Sequence, residues 1–188
     1  IILMKKSMKS KIKTNKVLQA GMGYTIGNYL LKGINLITLP IFARLMNKTD
    51  YGLFNIYMSY EGIFVILIGV TLHSSLKNAR YEFKNDYRKY VSSIEIVPMI
   101  MLAVALLIVN LFSGSVTQVT GLNLLTLDLL MIHSYCSALL QFYNADLSID
   151  YKYTSFLKIA FFNTIANVLI SLILMTTVLS SKRYAARI

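Results

Sequence analysis

Lys32 is a charged residue inside an otherwise largely apolar stretch, and Thr25, Asn28 and Asn35 accompany it at three- and four-residue spacing. In a helix that spacing puts all four on one face. A charge at the centre of a bilayer costs about 2.5–3.5 kcal/mol on insertion scales, so Lys32 requires an acid, a water-filled cavity or an anionic ligand. A second stretch carries Asn55, Ser59, Gly62, Gly69 and His73 at similar spacing, with Glu61 beside them. Ser134, Ser137, Gln141 and Asn144 mark a later stretch, and Asn163, Asn167 and Ser171 the last. One polar or small stripe per helix describes a bundle around a hydrated cavity. The Ser and Gly positions equally describe dry helix contacts, where small and hydroxyl residues permit close approach. Charge is harder to hide, so Lys32 and Glu61 are read as cavity residues, and a Lys32–Glu61 pair would serve either arrangement.

Other chemistry is missing from the sequence. Gly21-Met-Gly23 with Gly27 does not fit a dinucleotide fingerprint, and there is no phosphate-binding Walker loop. No His/Cys/Asp/Glu cluster has metal-ligand spacing. Cys136 stands alone in an apolar stretch, which excludes an intramolecular disulfide and reads as a small packed residue. Asp128 and His133 are five apart, so they do not share a face. The expectation is a non-enzyme without cofactors.

The elements that must position these residues are membrane spans. Of the 188 residues 56% are hydrophobic and only 14% charged, against roughly 25% in a soluble chain. Mean hydropathy is +0.59. Charges gather in short segments between long apolar runs, the pattern of helices that satisfy their backbone polar groups internally in lipid. An all-α integral membrane protein with about five transmembrane helices follows, with spans at about 17–46, 51–76, 91–112, 122–145 and 154–179. Residues 1–16 are a basic leader, with Met4 as a candidate start, and 17–188 form the transmembrane part. The net charge of +11 flanks these spans, so anionic lipid and the positive-inside rule explain it and nucleic acid does not. Lys77, Arg80, Lys84, Arg88 and Lys89 share one loop with no basic counterpart in Ser113–Gly121, which predicts a cytoplasmic N-terminus. With no Trp, Tyr81, Tyr87, Tyr90, Tyr143, Tyr151 and Tyr153 are the candidates for an interfacial aromatic belt. Glu95 and Pro98 suit the start of the third helix.

A family resemblance is specific around the first loop. Leu36-Ile-Thr-Leu-Pro-Ile-Phe-Ala-Arg-Leu-Met-Asn-Lys-Thr-Asp-Tyr-Gly-Leu-Phe54 resembles the N-terminal signature of bacterial polysaccharide-repeat-unit flippases (the Wzx group). Those proteins belong to the multidrug/oligosaccharidyl-lipid/polysaccharide exporter superfamily. Pro40, Arg44, Tyr51, Gly52 and Leu53 carry the pattern. Leu76-Lys-Asn-Ala-Arg-Tyr81 is similar to an Arg-aromatic motif after the second helix, and Arg183-Tyr-Ala-Ala-Arg-Ile188 to a Tyr-x-Gly-Arg-Ile segment opening a sixth, with Ala186 in place of Gly. Arg44 could bind a phosphate or pair with Asp50, or simply mark a helix-hairpin corner. The tail reads as a loop leading to another helix, and the chain as an N-terminal fragment.

The resemblance implies the N-terminal lobe of a MATE-like helix bundle at the bacterial inner membrane. It implies a cationic cavity that passes undecaprenyl-pyrophosphate-linked oligosaccharide outward by alternating access. Lys32, Arg44 and Arg80 become candidates for attracting the pyrophosphate, with Asn28, Asn35 and Glu61 around them. Membrane lipids, a glycan polymerase and a chain-length regulator are the implied partners. A drug/cation antiporter would want an acidic cavity, yet the first helix carries Lys32 and no acid. A lipid II flippase for peptidoglycan is a neighbouring alternative that these residues do not exclude. A membrane-embedded polysaccharide-assembly enzyme should show a large outer loop or a catalytic His/Asp/Arg set, and neither is present. A purely structural membrane subunit would not need intramembrane charge.

Overall fold

The computed structural model describes the backbone of residues 2–177 and 183–187, with side chains over 17–177 and 184–187. The side chains of the leader lysines up to Lys16, and residues 178–182 with the expected end of the fifth span, lie outside what is described. Helices α1 (Ile2–Leu45), α2 (Lys48–Gly69), α3 (Leu76–Glu82), α4 (Tyr87–Ile94), α5 (Ile96–Leu111), α6 (Ser113–Thr120), α7 (Leu124–Ile149), α8 (Tyr153–Thr176) and α9 (Arg183–Arg187) account for nearly all of the described chain. Among the described residues five segments are long and apolar enough to cross a membrane: Val17–Leu45, Lys48–Gly69, Lys84–Leu111, Leu124–Ile149 and Tyr153–Thr176. The expected all-α membrane bundle is therefore what forms.

Local chemistry sets the helix ends. Asn47 caps α2 by accepting a hydrogen bond from the Asp50 backbone N–H at 2.7 Å, and Asn123 caps α7 by accepting from Thr126 N–H at 2.8 Å. Both satisfy donors that the first helical turn leaves orphaned. The third span is two helices that adjoin at Glu95, and α4 begins well before the apolar run. Pro98 lies in the first turn of α5, where its missing N–H costs nothing. Helix α1 continues through Pro40 to Leu45. Short helices α3 and α6 occupy segments that read as loops, because neither carries an apolar run that hydropathy registers.

The helices pack as two groups. In the first, α2, α5 and α7 enclose Tyr57, Ile68, Val109, Leu127, Leu130 and Met131. In the second, α1 runs alongside α8, and α9 closes the pair by burying Ala186 against Phe42, Met46 and Met175. Gly23 and Gly27 make the α1–α8 approach possible: a Cβ on Gly23 would collide with the Tyr153 ring, and one on Gly27 with Leu157. These glycines are a small-xxx-small contact of the kind that joins membrane helices. Ala186 is itself almost fully buried against Phe42, Met46 and Met175. Large apolar residues such as Leu36, Leu111 and Phe162 remain about three-quarters exposed, as lipid-facing surfaces require.

Candidate functional site

Two cavities lie in the cleft where the helix groups meet, one towards each end of the bundle. The cavity at the end holding α9 has a volume of ≈ 370 Å³, with Asn35 of α1, Asn55 of α2, His133 of α7, Asn167 of α8 and Arg187 of α9 in its lining. Leu39, Phe42, Phe54 and Met58 supply its apolar wall. The cavity at the opposite, basic end has a volume of ≈ 550 Å³ and is lined among others by Asn28, His73, Lys77, Gln141 and Asn144. Asn28, Lys32 and Asn35 share one face of α1. Helix α1 therefore reaches one cavity at Asn28 and the other at Asn35, while Lys32, between them along the helix, is in the lining of neither.

Lys32 is exposed and Glu61 half-buried. No ion pair joins them, and neither forms one with any other described residue. Glu61 stands one turn beyond Tyr57 on α2. Arg44 is exposed and does not pair with Asp50, which is buried in the first turn of α2. Arg80 is engaged: it lies 3.4 Å from Asp150 and stacks 4.7 Å over the Tyr87 ring. A guanidinium so committed is a structural tie as it stands, and it lies at the rim of the basic end.

The polar stripes divide between wet and dry roles. Asn35, Asn55 and Asn167 meet in one cavity, and Asn28, Gln141 and Asn144 in the other. Ser134 and Ser171 are buried in helix contacts, and Ser134 Oγ has no hydrogen-bond partner. Thr25 and Ser59 return their hydroxyls to the carbonyls of Gly21 and Asn55. Asp128 and His133 take different partners: Asn110 Nδ2 donates to Asp128 at 3.0 Å, whereas His133 Nδ1 lies 3.1 Å from the Tyr57 hydroxyl.

Three features escape a reading of the sequence. The first is the Tyr57–His133 contact, between groups 76 positions apart. The second is a knot at the basic end. Tyr87 donates to Asp146 at 2.8 Å, Arg88 lies 3.5 Å from the same carboxylate, and Lys152 donates to Asp150 at 3.0 Å. The Lys152 hydrogen bond, reinforced by the Lys152, Arg80 and Arg88 charges, holds the Asp150 carboxyl below the usual carboxylate range against the opposing effect of burial. Counting only basic residues in these loops hides the two acids that bind them. Tyr87 is consequently a buried anchor and no part of an exposed belt, Tyr153 packs on Gly23, and Tyr81, Tyr143 and Tyr151 stay exposed. The third is Arg187, whose conjunction with Phe42 and Phe54 no local spacing announces.

Membrane-length helices around an amide-lined cleft define a multi-pass membrane protein. The chain belongs to the polysaccharide biosynthesis protein family, whose profile matches residues 17–187. That match covers both helix groups and both cavities. Comparison with curated proteins and with solved structures gives no match.

Proposed function

We propose that this protein takes part in flipping an undecaprenyl-pyrophosphate-linked oligosaccharide across the bacterial plasma membrane for surface polysaccharide or O-antigen assembly. One observation carries the reading. Side chains from both helix groups line the two cavities, and α1 contributes Asn28 to one and Asn35 to the other, with Lys32 between them along the helix. Amides offer hydrogen bonds to sugar hydroxyls without the desolvation cost of fixed charge. A single cation midway attracts an anionic head group. Membership of a polysaccharide biosynthesis family supports the glycan as cargo. The basic loop Lys77–Tyr90 then faces the cytoplasm, where anionic lipid and the positive-inside rule favour it.

The test is surface glycan display in cells that depend on this protein. Lys32→Ala is expected to lower display while the protein still inserts in the membrane at normal level. Unchanged display with normal insertion contradicts the role given to the α1 face.

A further inference from the structure

Arg187 is placed unlike the other described cations. It belongs to a short helix, yet its guanidinium is drawn into the cavity at the far end of the cleft. Its carbon sits 4.3 Å from the centroid of Phe42 and 5.4 Å from that of Phe54. Nη1 donates to the Asn167 amide oxygen. No carboxylate among the described residues pairs with it. A partly desolvated guanidinium normally has an anion beside it, because aromatic faces and one amide do not neutralise its charge. Burial pulls its pKa below the ordinary arginine value, but from so high a starting point it stays charged.

We propose that Arg187 is the oxyanion-recognising residue of this cavity, its planar fork taking a phosphate group carried on a lipid. Phe42 and Phe54 cover part of the guanidinium plane and orient the fork. Asn35 faces the same cavity and offers a neutral donor to a second oxygen. Leu39 and Met58 supply the apolar wall that an isoprenoid needs. The site lies at the end of the bundle opposite the basic loop. On the proposed orientation, which this inference rests upon, it is where a head group arrives after crossing, not where it enters. A phosphate-selective site there would hold the cargo in the outer half of the membrane until release.

The experiment uses the whole chain in phosphatidylcholine nanodiscs. Binding of geranylgeranyl pyrophosphate is compared with binding of geranylgeraniol, with phosphatidylglycerol as competitor. The wild type is expected to prefer the pyrophosphate by about tenfold or more, the usual scale of a charged hydrogen-bonded contact. Arg187→Gln should bring that preference close to parity while leaving geranylgeraniol binding unchanged. Arg187→Lys should fall between the two, and it decides the matter if the Gln variant does not fold: an unchanged preference in R187K contradicts recognition by the fork. A wild-type preference retained in R187Q overturns the assignment of Arg187 and leaves the flippase reading standing. No preference in the wild type overturns both. Displacement of the probe by equimolar phosphatidylglycerol overturns the assignment in favour of a bulk-lipid head-group contact.

Discussion

The Tyr57 hydroxyl lies 3.1 Å from His133 Nδ1, joining α2 to α7. The two rings also stack at 5.9 Å with planes 20° apart. His133 is at once a partner of the α2 helix and a lining residue of the cavity, so the packing of the first helix group fixes one wall of the cleft.

Removing that hydroxyl should loosen the wall. Tyr57 is fully buried, and Tyr57→Phe keeps its shape while leaving His133 without its partner. A loss of about 1 kcal/mol is expected, seen as a lower midpoint of thermal unfolding in detergent. An unchanged midpoint would show that water replaces the hydroxyl at no cost.

The second helix group rests on close approach. Gly27→Leu forces side-chain atoms into Leu157, and overpacking of this kind costs about 1–3 kcal/mol. Gly21 has open space around it, so Gly21→Ala should be neutral or stabilise by up to about 1 kcal/mol through helix propensity. Equal effects of the two substitutions on unfolding would contradict the α1–α8 contact.

Acid should untie the basic end. The folded-state pKa of Asp150 is depressed by its Lys152 hydrogen bond and the surrounding charges. Its stabilising contribution is therefore present above the unfolded carboxylate value of about 3.9 and is lost as pH falls through the lower folded value. Hydrogen exchange of α3 and of the α7–α8 turn should rise as pH drops below about 4, after correction for the intrinsic rate. Asp150→Asn should already exchange fast at neutral pH and lose most of that change. A wild-type profile in the variant would remove Asp150 from the knot.

The orientation proposed for the chain is open to labelling. In a Cys136→Ser background, Asn85→Cys should resist an impermeant thiol reagent on intact cells and react after permeabilisation. Labelling on intact cells would place the basic loop outside and reverse the direction assigned to the cleft.

Much of the fold was legible in the sequence, because a helix in lipid must satisfy its own backbone and a run of about 20 apolar residues declares itself. The polar face of α1 was legible for a related reason: Asn28, Lys32 and Asn35 follow the helical period. What spacing did not reveal was which groups meet. Arg80 finds Asp150 across 70 positions and Tyr57 finds His133 across 76, and no periodicity encodes such encounters. Gly23 and Gly27 did carry a readable signal, since two glycines four apart in an apolar helix permit a close helix contact even where no nucleotide fingerprint fits. Arg187 belongs to a motif visible in the sequence, while its place against Phe42 and Phe54 depends on α9 packing on α8 and α2.

The whole reading stands on water reaching the cleft between the helix groups. Cysteine substitution measures this directly, since a thiol must ionise in water to react. In the Cys136→Ser background, cysteines at Asn35 and Asn55 should react readily with a water-soluble maleimide in the reconstituted protein, and one at Phe162 on the apolar surface should not. Reactivity at 35 and 55 no greater than at 162 would mean that the cleft is dry and carries no polar cargo.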